Sequence, residues 1–138
     1  MYLIDTCVIS ENRKKNKANK GVTDFFQKIQ NNPNRCYLSV ITMGELRRGA
    51  EKIRHRGDIL QYQRLNQWIM AVSHEYNHHI LGIDADIAQM WGQLRVPRYE
   101  NAIDKLIAAT ALIYDLTVVT RNIDDFHTTG CKLLNPFL

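Results

Sequence analysis

Five short apolar runs, each too brief for a typical helix, are separated by longer stretches with helical spacing, and this alternation restricts the folds open to the chain. The opening stretch, apolar from Met1 through Ile9 apart from Asp5 and Thr6, suits a buried strand ending near Asp5. Later runs are Cys36 to Val40, Ile80 to Ile83, Thr117 to Thr120 and Leu133-Leu134. Strands interleaved with helices build a parallel sheet covered on both faces. The expected class is therefore α/β, with a central, mostly parallel β-sheet flanked by helices in an α/β/α sandwich.

The intervening stretches carry their own punctuation. Glu11 to Lys20 is polar and rich in lysine, and reads as a solvated loop or frayed helix. Val22, Phe25, Phe26 and Ile29 recur at helical spacing, with Thr23 or Asp24 near the start and Asn31-Asn32-Pro33-Asn34 as the stop. Thr42 is the expected cap of a helix whose stripe is Met43, Leu46, Ala50 and Ile53, with Glu45 in its first turn. Gly57-Asp58 opens a longer amphipathic stretch through Tyr76, and Asp84 or Asp86 leads another that Pro97 ends. Ala102 to Tyr114 is a strong helical pattern with Asp104 in its first turn.

With 138 residues, the chain is expected to form one domain over 1–138 with a core that needs no disulfides. Cys7, Cys36 and Cys131 are odd in number and lack zinc spacing, which favours a reducing, cytoplasmic setting. No apolar run approaches the roughly 20 residues that span a bilayer, so no membrane association is expected. The formal charge of +4 is a mild preference for polyanions and identifies no partner alone. The histidines show no repeated ligand spacing, and His74 and His78 lack a third ligand or an HExxH motif.

The chemistry lies in acids remote in sequence but similarly placed. Asp5 closes the first strand, Glu45 follows the second, Asp104 opens the buried helix, and Asp125 lies just beyond the fourth strand. At the carboxyl ends of parallel strands such residues converge on one crevice. Several carboxylates in one crevice repel one another unless a hard cation such as Mg²⁺ or Mn²⁺ joins them. Each acid also has a structural explanation. Asp5 suits a cap or turn, while helix dipoles favour Glu45 and Asp104 by roughly 0.3 to 1 kcal/mol. The functional reading rests on the joint arrangement.

Thr6 is placed to fix the Asp5 turn, and Thr120-Arg121-Asn122 precedes Asp124-Asp125. Asn122 and Asp125 are alternative fourth contributors. Arg47 and Arg48, with Lys14 and Lys15 of the basic loop, are candidate phosphate contacts, although solvated faces are their default explanation. Met90, Trp91 and Trp68 read as core.

Ile4-Asp5-Thr6, Ser39 to Leu46, Asp104 to Ala111 and Val119-Thr120-Arg121-Asn122 with Asp125-Phe126 together resemble a PIN domain. More narrowly, the chain resembles the VapC and FitB group of type II toxin–antitoxin ribonucleases, over nearly its whole length. That resemblance implies a homodimer with Mg²⁺ or Mn²⁺ at Asp5, Glu45 and Asp104, with Asn122 or Asp125 as the fourth position. It also implies hydrolysis of phosphodiesters in single-stranded RNA, and a cognate antitoxin that wraps the toxin. Cys7 stands where many relatives carry Asn.

Two other readings compete. A non-catalytic PIN-fold module would use the basic surface to hold nucleic acid or protein. An aspartyl-nucleophile phosphatase would use Leu3-Ile4-Asp5-Thr6, but Cys7 occupies the place of its second Asp.

Overall fold

The apolar runs become the strands β1 (Tyr2–Ile4), β2 (Cys36–Ser39), β3 (Ile80–Leu81), β4 (Thr117–Val119) and β5 (Lys132–Leu134) in a computed structural model that describes residues 1–138. They form one sheet in the order β3-β2-β1-β4-β5, and every pairing is parallel. β1 is central, flanked by β2 and β4, with Leu3 opposite Tyr37 on one side and Val118 on the other. Strand order reverses at β1, so the crevice at the switch point opens beyond Ile4 and Val119.

Successive strand residues face opposite sides of a sheet. Leu3 and Val118 join one apolar cluster with Ile107, Ala108, Ala111, Leu116 and Phe126. Ile4 and Val119 join the other, with Val8, Val22, Phe25, Leu46, Ile69 and Val72. The helices α1 (Thr6–Asn12), α2 (Lys20–Ile29), α3 (Val40–His55) and α4 (Ile59–Glu75) supply the second cluster. On the other face lie α6 (Ala102–Tyr114) and the short α7 (Ile123–Phe126), while α5 (Ala85–Leu94) packs along α6. Phe126, Leu3, Ile4 and Leu38 are fully buried, each contributing about 1.5–3 kcal/mol. No helix is long and apolar enough to cross a membrane.

Local starts differ from those expected. Thr6 to Ile9 is the first turn of α1, because the Asp5 side chain accepts from the Thr6 amide and caps a helix there. The polar run ahead of Lys20 holds a 3-10 turn at Lys15–Lys17. α2 begins earlier than Thr23 or Asp24 would place it, since Asn19 accepts from the Gly21 amide. Ser39, not Thr42, caps α3 by accepting from the Ile41 amide. Thr42 is instead fully buried within the helix. Asp84 caps α5 as one of the two expected candidates, and β3 is two residues long, ending before Gly82.

Candidate metal centre

Asp5 stands directly after the central strand, its amide still donating to the Val119 carbonyl at 2.9 Å. That bond carries the sheet one step further, then the chain turns into α1. The carboxylate is 6% exposed and well satisfied. Oδ1 accepts from the Thr6 amide at 2.8 Å, and Oδ2 accepts from the Thr120 hydroxyl at 2.8 Å. Thr120, fully buried just after β4, in turn accepts from the Asn122 amide at 2.9 Å. One hydroxyl therefore ties the ends of two neighbouring strands and the following loop to one carboxylate.

Cys7 belongs to the same network, which its sequence position gave no reason to expect. Its thiol lies 3.7 Å from both Asp5 Oδ2 and Thr120 Oγ1, and it accepts from the Arg121 amide at 3.5 Å. Burial, then the Asp5 charge and hydrogen bond, push the thiol above its usual range despite the opposing pull of the Arg121 amide and Thr120. It is a neutral thiol at physiological pH.

Asp5, Thr6, Cys7, Glu45, Asp104 and Asn122 line one crevice of about 380 Å³, walled by Ile41, Ile103 and Ile107. Glu45 is the sixth residue of α3, counting from Val40, so it lies beyond the first turn, where the dipole would favour it. The expected capping role is therefore absent, and the site is the remaining explanation. Asp104 does lie in the first turn of α6. Its carboxyl is nevertheless pushed up to about 6, chiefly by burial and then by the charges of Asp5, Asp125 and Glu45. Asn122 reaches the crevice wall, whereas Asp125 acts on Asp104 through its charge.

No lysine or arginine neutralises these acids. The ion pairs of the chain are Lys14–Glu11, Arg54–Glu51 and Lys132–Asp115. Lys105, only 5% exposed and adjacent to Asp104, donates instead to the Arg98 carbonyl. The crevice carboxylates of Asp5, Glu45 and Asp104, with no ion-pair partner and with the Asp125 charge nearby, are hard-oxygen donors of the kind a divalent cation takes. No three acidic, His or Cys side chains converge closely enough to enclose an ion by themselves. That spacing is compatible with Mg²⁺, which is held by one or two carboxylates and retains several waters. The carboxylates placed to offer ligands to such an ion are those of Asp5, Glu45 and Asp104.

The candidate phosphate contacts are dispersed. Arg47 and Arg48 lie two and three residues beyond Glu45 on α3, and Arg48 lines another concavity toward that helix's far end. Lys14 pairs with Glu11 at 2.9 Å, and neither Lys14 nor Lys15 lines the crevice.

The chain is similar to known proteins over nearly its whole length. The family described as PIN domain matches residues 2–130. Toxin FitB of Neisseria gonorrhoeae is 32% identical, with 99% of each chain covered. Among solved structures, the crystal structure of FitAcB from Neisseria gonorrhoeae superposes with a TM-score of 0.81 at 31% identity, covering 99% of this chain and 98% of that one. A toxin–antitoxin complex from Klebsiella pneumoniae gives a TM-score of 0.68 at 25% identity over 99% and 98% of the two chains.

Proposed function

We propose, from the premise that this chain belongs to the PIN domain family, that it is the ribonuclease toxin of a toxin–antitoxin pair, hydrolysing phosphodiesters in single-stranded RNA with Mg²⁺ or Mn²⁺. The observation that carries this reading is the uncompensated set of Asp5, Glu45, Asp104 and Asp125 at the switch point of the sheet. Asp5 and Asp104 would hold the ion, and Glu45 would complete its surroundings directly or through water. Bound there, the cation supplies Lewis acidity toward a phosphate oxygen and a lowered pKa for an attacking water.

The chain's own groups prepare that chemistry. The Thr6 amide and the Thr120 hydroxyl hold one Asp5 carboxylate orientation, so little reorganisation is needed when charge develops. Ile107, 2% exposed, gives the crevice a buried apolar wall, beside which a carboxylate pulls more strongly on a cation. A positive charge beside Asp104 would draw its raised carboxyl pKa back toward the ordinary range. Cys7, kept neutral by burial, is a poor nucleophile, which fits direct attack by water over a covalent thiol intermediate.

Relatives solved as toxin–antitoxin complexes support a cognate antitoxin as partner, and a homodimer is part of the same proposal. Sedimentation of the antitoxin-free chain tests the dimer: a mass of twice 16.0 kDa agrees with it and a monomer contradicts it. The activity is tested on total cellular RNA with Mg²⁺ or EDTA, using the native chain and Asp5→Asn. Cutting that needs both the metal and Asp5 supports the assignment. RNA binding without cutting in any divalent metal supports the non-catalytic module instead, and a trapped phosphoenzyme supports the phosphatase.

A further inference from the structure

Thr6 and Glu45 line more than the acidic crevice. They also open a smaller groove of about 240 Å³ between α1, α3 and α4, whose walls include Arg13, Gly49, Ile53 and Trp68. Gly49 and Ile53 in turn border a concavity of about 650 Å³ at the C-terminal end of α3, lined by Arg48, Lys52 and Arg56. Their shared lining residues set the three hollows side by side as a path along α3. From Glu45 to Arg56 it follows α3 for about 16 Å at the helical rise per residue.

Charge changes sign along this path. The carboxylates stand at one end, while Arg13, Arg48, Lys52 and Arg56 form no ion pair; the single acid among them, Glu51, is taken by Arg54 at 3.6 Å. The helix dipole explains cations in the last turn of α3. It does not explain Arg13, which comes from the end of α1 and stands 5.8 Å over the half-buried Trp68 ring midway along the groove. A row of unpaired cations with an aromatic face between them and a carboxylate centre matches a single-stranded polyanion, since bases stack on rings and phosphates meet cations.

We infer that this path is the track for the RNA flanking the scissile phosphodiester, with Arg48, Lys52 and Arg56 on phosphates and the Trp68–Arg13 pair against a base. The inference rests on the ribonuclease reading above and adds a direction to it. RNA leaves the carboxylates along α3, not across the lysine loop, where Lys14 is already paired with Glu11.

The test uses the Asp5→Asn chain, which binds without cutting, and a labelled single-stranded RNA of roughly twelve nucleotides. Adding R48A, K52A and R56A together should flatten the log–log salt dependence of binding by about 2, at about 0.7 per phosphate for single strands. Gly49→Trp in the otherwise native chain probes the path without touching charge, because a Cβ at Gly49 meets nothing within 4 Å. It should slow cleavage of the long RNA at least tenfold while sparing a di- or trinucleotide substrate. An unchanged salt slope, or equal cleavage of long RNA by Gly49→Trp, overturns the track while leaving the ribonuclease intact. Loss of co-purifying antitoxin in the triple variant with an unchanged RNA slope also overturns it, and makes the groove a protein-docking surface. Absence of both cleavage by the native chain and RNA binding by Asp5→Asn rejects track and ribonuclease together.

Discussion

Asp104 shows best how one residue serves the site at a cost to the fold. Its folded carboxyl titrates near 6 against an ordinary 3.8, so between these values the native state holds a proton that the unfolded chain has released. Stability therefore falls as pH rises through that window and stays lower above it. For a half-exposed carboxyl the effect, after solvent screening, is about 1 kcal/mol. Asp104→Asn should stabilise the metal-free chain by about that amount at pH 7.5 and remove this fall between pH 4 and 6, as read by urea unfolding in EDTA. The same variant should lose RNA cleavage by about 10²-fold or more. Thr120→Val tests the network behind Asp5. It removes a donor to Oδ2 and an acceptor for the Asn122 amide, so about 1–3 kcal/mol of stability should go, together with part of the cleavage rate. The acids themselves were readable in the sequence because strand ends are. The Thr120–Asp5 bond joins residues far apart in the chain, and no local pattern encodes it.

At the scale of elements, the errors in reading the sequence share one cause. Apolar runs set where strands begin, but caps decide where helices begin, and several residues compete for each cap. Cys7-Val8-Ile9 continues the apolar character of β1, so only the Asp5 side chain turning onto the Thr6 amide distinguishes a helix start from more strand. Thr42 and Ser39 are both good caps by type. Ser39 prevails because β2 ends there, and this moves Glu45 beyond the first turn of α3. Ser39→Ala should cost about 1 kcal/mol in chemical denaturation, whereas Thr42→Ser should not lose a cap. Gly21 offers a second check on element packing. A Cβ there would meet the Pro136 carbonyl oxygen at 2.0 Å, so the Asn135–Leu138 segment has to shift away from α2. Gly21→Ala should lower the melting temperature by several degrees, beyond what helix propensity alone would return.

For the whole molecule, a parallel sheet with reversal at β1 opens the crevice in which Asp5, Glu45 and Asp104, from distant segments, meet. The strand-end rule places Asp5 from sequence and the helix that follows β2 carries Glu45, while Asp104 enters from the first turn of α6, which follows α5 and not a strand. A cation that binds only the native state stabilises it by RT ln(1 + [L]/Kd), about 2.7 kcal/mol at a hundredfold excess over Kd. The most direct measurement is therefore the rate at which the native chain and Asp104→Asn cut a defined single-stranded RNA across a Mg²⁺ titration, with thermal unfolding followed in the same samples. The account predicts that Mg²⁺ raises both the cleavage rate and the melting temperature of the native chain in parallel, and that Asp104→Asn is folded but loses both responses. Metal-independent cleavage, or full Mg²⁺-dependent cleavage by Asp104→Asn, would contradict it.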